Sequence, residues 1–192
     1  MKRGDEMEKG REGENDEEME NGDEMIEFEL RPWKETDADA LAKYADNKKI
    51  ADFLRNGFPH PYTREDAVAF IGSVLQAGEE TQCCRAIVIN GEAAGGLGVF
   101  LKEDVYCKNA EVGYWLAEPY WKRGIMSKAL SQMCSYTFEN YDVVRLFAEP
   151  MRTNVGSRKV LENAGFVLEG ILKKSVYKNG QFFDACIYAL LK

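Results

Sequence analysis

An α+β fold, with a mixed but mostly antiparallel sheet of about seven strands flanked by about four helices, is what this 192-residue sequence predicts. Three observations support it. Asn90-Gly91 and Asn179-Gly180 each join two apolar runs, the pattern of tight antiparallel hairpins. Between those hairpins lies a single strand–helix–strand unit, which places one parallel pair at the centre of the sheet. The strict alternation of strands and helices that a doubly wound nucleotide-binding sheet requires is missing.

Each element has a local reason. Residues 26–30 (Ile-Glu-Phe-Glu-Leu) alternate with period two and form a strand stopped by Pro32. Thr36 or Asp37 caps a helix with Leu41, Tyr44 and Ala45 on its inner face. After the loop 58–62, Thr63-Arg64-Glu65-Asp66 has the form of a capping box. It opens a helix to about Ala77, with Val68, Phe70, Ile71, Val74 and Leu75 as apolar positions. Residues 83–89 and 93–101 make the first hairpin, and a third strand runs from about Tyr106 to Leu116. A helix follows from about Arg123 to Tyr141, then a short buried strand at 143–148 and a helix from Asn154 to Ala164, ended by Gly165. Residues 166–177 and 182–191 form the closing hairpin.

Composition sets the bounds. With 45% hydrophobic and 11% aromatic residues the chain supports one well-buried core, not two. No run reaches the roughly 18 apolar residues of a membrane helix, so a cytoplasmic protein is expected. The net charge of −8 is concentrated in residues 1–24, which hold 11 acids and 4 bases. That stretch lacks the apolar side chains to offset its ordering entropy and is expected to be a disordered acidic tail, either simply solvated or an interaction segment. Residues 25–192, the expected folded domain, carry 22 acids and 21 bases and no basic stripe suited to nucleic acid. Five cysteines without a C-x-x-C pair, and a lone His60 set between two prolines, point to reduced buried thiols and a loop histidine rather than a metal or disulfide site.

The junction most suggestive of chemistry is the turn Pro119-Tyr120-Trp121-Lys122-Arg123-Gly124-Ile125-Met126-Ser127 between a strand and a helix. A glycine permits a tight turn, the helix start presents unpaired N–H groups, and Lys122 and Arg123 add charge. Such a junction suits a phosphate, though an ordinary helix start with a solvated Lys-Arg pair has the same sequence features.

Around that turn stand Gly113-Tyr114-Trp115-Leu116, Asn154-x-x-Ser157 running into Val160-Leu161-Glu162-Asn163-Ala164-Gly165-Phe166, Glu169-Gly170, and Asn179-Gly180 with Asp184 and Tyr188. In this order and spacing the chain resembles the GNAT superfamily of acetyl-CoA-dependent N-acetyltransferases, and within it the RimJ/RimL-like branch, from about residue 25 to residue 192. Trp121 and Met126 depart from the superfamily's usual Gln/Arg-x-x-Gly-x-Gly/Ala loop in a way common in that branch.

The resemblance carries specific expectations. The pyrophosphate of acetyl-CoA would lie on the backbone N–H groups of Lys122, Arg123, Gly124, Ile125, Met126 and Ser127, with Trp121 heading the loop. The central parallel strands would splay, letting the pantetheine arm pair with Leu116 and Ala117, and an N–H near Leu116 would polarise the thioester carbonyl. Val112 and Tyr114 otherwise read as core. Glu149, five residues before Asn154, is the first candidate for general base and Glu111 the second. Ser157 would contact the sulfur, because the tyrosine that RimI-like relatives place seven residues after the asparagine is Leu161 here. Asn154 would bind the pantetheine amides or serve as a helix cap, and residues 58–62 would line the amine pocket. The implied reaction is direct attack of a primary amine, on a protein N-terminus or a small molecule, upon the thioester, with no metal. A non-catalytic acyl-CoA-binding module is the alternative. Acetyl-CoA and the amine are the implied partners, without nucleic acid or membrane, and a monomer or homodimer fits equally.

Overall fold

Both Asn-Gly dipeptides turn the chain as expected. Asn90 and Gly91 (φ 51° and 81°) link β2 (Gln82–Ile89) to β3 (Glu92–Leu101), and Asn179 and Gly180 (51° and 78°) link β6 (Val167–Lys178) to β7 (Gln181–Leu191). A computed structural model describes residues 26–192; the expected acidic tail, residues 1–24, lies outside the described residues. The other elements are β1 (Glu29–Arg31), α1 (Ala38–Ala45), α2 (Lys48–Ala51), α3 (Arg64–Ala77), β4 (Asn109–Leu116), α4 (Ile125–Asn140), β5 (Arg145–Ala148) and α5 (Val155–Asn163). The seven strands form one sheet in the order β1-β2-β3-β4-β5-β7-β6, antiparallel except for β4 and β5. No helix among the described residues is long and apolar enough to cross a membrane.

The sheet separates two apolar layers. On one face α4 buries Ile125, Ala129, Leu130 and Met133 against Ile87, Leu97, Val99, Val112 and Leu146, and Leu161 of α5 joins them. On the other, Leu41 and Ala45 of α1 and Ala67 and Ile71 of α3 pack with Trp33, Tyr62 and Ala86.

Several local readings are corrected. Strand β1 begins only at Glu29, although Ile26 and Phe28 still pack on the core. Asp37 precedes α1 without capping it through its side chain. Its carboxylate takes both Arg31 nitrogens (2.7 and 2.8 Å) and the Lys34 N–H (2.9 Å). The capping box at Thr63 and Asp66 forms as expected, but Val68 and Leu75 of α3 face solvent, because the helix seats the i, i+4 pair Ala67 and Ile71. The single turn α2, capped by Asn47, is an additional helix. Four cysteines are buried in strands and a helix, whereas Cys107 is exposed in the turn before β4.

What places the candidate site is the brevity of the parallel pairing. Only Asn109↔Arg145, Ala110↔Leu146 and Glu111↔Phe147 pair. Beyond Ala148 the chain follows β7 instead of β4: Cys186 N–H donates to the Pro150 carbonyl at 2.9 Å and Arg152 N–H to that of Asp184 at 2.8 Å. Pro150 itself has no N–H to offer β4. Residues 112–116 therefore pair with β3 alone and line a gap in the middle of the sheet. Lys178 holds the β6–β7 hairpin against α2 by donating from Nζ to the carbonyls of Ala51 (2.6 Å) and Leu54.

A Cβ on Gly95 would stand 2.8 Å from the Trp115 carbonyl oxygen and 3.0 Å from a Leu116 methyl. Gly95→Ala is expected to destabilise the fold by about 1–3 kcal/mol in urea titration, from overpacking against a fixed strand. Gly57→Ala, where the added carbon meets nothing within 4 Å, serves as the neutral comparison. Burial pushes the Asp37 pKa up, but the bonds from Arg31 and Lys34 more than offset this and hold it below the ordinary value. Its contribution to stability is thus complete above the unfolded pKa of about 3.9 and is lost as pH falls through the folded value. Asp37→Asn is expected to be less stable near neutrality and to lose less stability between about pH 4 and pH 2, as pH-resolved urea titrations would detect.

Candidate active site

The turn after β4 is a concave array of backbone donors. A 3-10 turn at Glu118–Tyr120 is followed by Lys122 (φ 62°) and Gly124 (φ 72°), two left-handed residues on either side of Arg123. This conformation curls successive N–H groups toward one side, forming a nest for an anion. Helix α4 begins at Ile125, two residues later than expected, because left-handed Gly124 is its N-cap; the first helical bond runs from Lys128 N–H to the Gly124 carbonyl at 3.1 Å. Among the described residues the N–H groups of residues 122–127 have no protein acceptor. The side chains of Ile125 and Met126 are buried in the core, so these two offer the turn only their backbone. Glu118, bonded by Asn47 (2.8 Å) and paired with Lys49, braces the turn from the α1–α2 side.

The adjoining edge of β4 supplies further donors. Ala117 N–H donates to Ala94 (2.8 Å) and Lys102 N–H to Asn109 (3.0 Å), which fixes the alternation of the antiparallel ladder. The backbones of residues 109, 111, 113, 115 and 117 therefore face β3, and those of 110, 112, 114 and 116 face β5 and the gap above it. The Leu116 and Tyr114 N–H groups point into that gap. Ala117 does not: its N–H serves Ala94 and its carbonyl accepts from Tyr120 N–H at 3.0 Å. The Leu116 carbonyl is held by the Trp121 indole N–H at 2.6 Å, tying the turn to the end of the strand.

Side chains alternate in the same way. Tyr114 lies on the α4–α5 face and reaches α5, where its hydroxyl donates to the Ser157 carbonyl (3.1 Å) and meets Ser157 Oγ (3.0 Å). Burial pushes the Tyr114 pKa up, so this hydroxyl stays protonated. The sequence signal for it was modest: a tyrosine in phase with Val112 and Leu116 needs a partner for its polar tip. Asn154 is the N-cap of α5, its Oδ1 accepting Ser157 N–H at 3.0 Å, which leaves its amide nitrogen for a ligand.

The two candidate bases differ. Glu111, on the opposite face, is clamped: one carboxylate oxygen pairs with Arg55 and the other accepts Lys102 Nζ at 2.7 Å. With both oxygens committed to cations it is poorly placed to take a proton from an amine. Glu149 is exposed at the end of β5, in phase with Arg145 and Phe147, and has no side-chain partner among the described residues. His60 pairs with Asp46 at the end of α1 (3.1 Å), while Phe58 packs at a tilt against Tyr62 and Trp115, with centroids 4.8 and 5.8 Å apart. Residues 58–62 are thus set against the β4 face that bears Glu111 and Gly113.

The same architecture is found in known proteins. The family profile of the acetyltransferase (GNAT) domain matches residues 27–167. The chain belongs to the GNAT family of N-acetyltransferases. Among its relatives, the putative ribosomal N-acetyltransferase YdaF of Bacillus subtilis (strain 168) is 32% identical over 149 residues, covering 78% of this chain and 75% of the relative. The uncharacterized N-acetyltransferase YoaA of the same organism is 25% identical over 85% of this chain and 92% of its own length. A solved structure of RimL, a ribosomal L7/L12 alpha-N-protein acetyltransferase in complex with coenzyme A, superposes with a TM-score of 0.77 at 27% identity, covering 85% of this chain and 93% of that one. The RimJ/RimL-like likeness expected from the turn is thus found in both sequence and fold.

Asn154 allows its two roles to be separated. Asn154→Ala removes the cap and is expected to cost about 1 kcal/mol of stability. Asn154→Asp keeps an oxygen acceptor for Ser157 N–H and is expected to retain that stability in thermal melts. It loses the amide donor, so a fall in coenzyme A affinity without a fall in melting temperature would assign the amide nitrogen to the ligand.

Proposed function

We propose that this GNAT protein transfers the acetyl group of acetyl-CoA to a primary amine, with a protein N-terminus as the preferred acceptor class. One observation carries the reading. The N–H groups facing the β4–β5 gap continue directly into the N–H nest of residues 122–127, and Trp121 joins the two. A pyrophosphate linked to an amide-bearing arm is the ligand that such a continuous track of donors suits. The likeness to RimL and to the putative ribosomal enzyme YdaF supports the peptide acceptor.

In this reading acetyl-CoA supplies the activated thioester, and the chain's residues do the rest. The nest and the start of α4 hold the phosphates; the Leu116 and Tyr114 N–H groups orient the arm and stabilise the oxyanion that develops as the amine attacks. The amine approaches from the β4 face opposite α4 and α5, where Gly113 leaves the strand bare. Glu149, on that face, accepts the proton that the ammonium must lose, directly or through one water. The C–N bond forms and the C–S bond breaks; the second proton, shed by the nitrogen as the amide forms, passes to the departing sulfur, which the Ser157 hydroxyl, seated by Tyr114, holds by a hydrogen bond.

Glu149→Gln is expected to lower kcat roughly 10²-fold or more while leaving coenzyme A affinity unchanged, the behaviour of a lost general base. Thiol release measured with free-N-terminal peptides, polyamines, amino acids and aminoglycosides tests the acceptor class. Tight coenzyme A binding with no turnover on any of them would replace the enzyme by a binding module. Because a Cβ on Gly124 meets no protein atom within 4 Å, Gly124→Ala adds only left-handed strain of about 1–2 kcal/mol. By calorimetry it is expected to weaken coenzyme A through the crowded nest; unchanged affinity would remove the phosphate assignment.

A further inference from the structure

The amine face of the sheet continues past the gap into a groove of about 540 Å³ lined by Lys102, Glu103, Tyr106, Asn109, Arg145 and Phe147. We infer that this groove is an acceptor subsite for an acidic side chain, selecting peptides with Asp or Glu at the second to fourth residue behind the reacting amine. The inference rests on the transferase reading above and narrows its substrate.

The strand register lays out the surface in rows. Gly98 and Gly113 form one row, beyond which Glu149 follows the end of β5. Phe100, Glu111 and Phe147 form the next, and Lys102, Asn109 and Arg145 the third. Successive rows are two residues apart, about 7 Å. A group in the groove therefore sits roughly 7–14 Å from an amine poised at Gly113, by the rise of two to four strand residues. An extended peptide covers this with two to four residues at about 3.3–3.6 Å each. The α-carboxylate of a free amino acid, two bonds from its nitrogen, does not reach it.

Donor valence identifies the group that fits. Lys102 Nζ and Arg145 Cζ lie 5.4 and 5.1 Å from the centroid of the same ring, Phe147, which forms the groove floor. Each is kept there by one carboxylate: Lys102 by Glu111, Arg145 by Glu169. Arg55, largely exposed, also binds Glu111, so in and around the groove Lys102, Arg145 and Arg55 stand against Glu111, Glu169 and the groove residue Glu103, three cations and three anions. Net charge therefore does not select the group; the unused donors of the two cations beside Phe147 do. Lys102 spends one of its three donors on Glu111. Arg145 spends two of its five, on Glu169 and, at 3.4 Å, on Asn109. The remaining N–H groups surround an apolar floor, a setting in which a bridging carboxylate gains charge-assisted bonds from both side chains.

The test uses the full chain, acetyl-CoA and free-N-terminal peptides that differ only by Glu or Gln at position 2, 3 or 4. The readout is the ratio of kcat/KM for each matched pair. Because both peptides meet the same preparation, partial unfolding of a variant cancels. The native protein is expected to favour Glu at one of these positions about tenfold or more, as a charge-assisted hydrogen bond warrants. Arg145→Met and Lys102→Met are each expected to bring that ratio toward one, and 0.5 M salt to reduce it. A native ratio near one at all three positions overturns the inference while leaving the transferase reading intact, as does a preference that survives both substitutions. Absence of turnover on every amine removes both together.

Discussion

Backbone amides in the middle of a sheet must find partners, and in this protein the parallel pairing that should supply them ends after three residue pairs. The cause is the path of the chain after β5. Pro150 has no N–H, and its carbonyl is drawn to β7. Central strand β4 consequently runs on beside a gap, with the Tyr114 and Leu116 amides facing into it. An edge at the centre of a sheet is costly unless something pairs with it, and an extended, amide-bearing arm does so by adding a strand.

The rest of the site is arranged around that edge. Trp121 bonds the last gap-facing carbonyl, fixing the nest of the following turn relative to the strand. The sheet also keeps the candidate chemical groups on separate faces. Ser157 and Tyr114 lie on the side of α4 and α5, while the clamped Glu111 and the aromatic loop 58–62 lie on the other, the side toward which the phase of β5 directs Glu149. In the proposed reaction a ligand threaded through the gap would present its reacting carbon to an acceptor arriving from the opposite side.

Much of this was legible in the sequence. The two Asn-Gly hairpins, the Thr63 capping box and the strand–turn–helix at Gly124 are local signals whose geometry a few residues determine, and the structure contains all of them. Features that depend on distant partners were harder to see. That Ala117 is consumed by Ala94, or that Glu111 is held by Arg55 and Lys102, depends on pairings between residues 9 to 56 positions apart in the case of the glutamate. Asp37 carried the composition of a cap for α1, but its carboxylate turns back to Arg31 and the Lys34 N–H, since a half-buried guanidinium gives it two charge-assisted bonds. The outward Val68 and Leu75 have a similar origin. An apolar pattern locates a helix, but the tertiary layer decides which part of its broad stripe is covered.

Amide hydrogen exchange on this protein, resolved residue by residue with and without coenzyme A, tests the central claim most directly. Tyr114, Leu116 and the amides of residues 124–127 are expected to gain protection together on ligand addition. Gly113 and Trp115, already bonded to β3, are expected to change little. Protection gained elsewhere on the surface, with Tyr114 and Leu116 exchanging as before, would contradict the assignment of the β4 edge and its turn as the acetyl-CoA track.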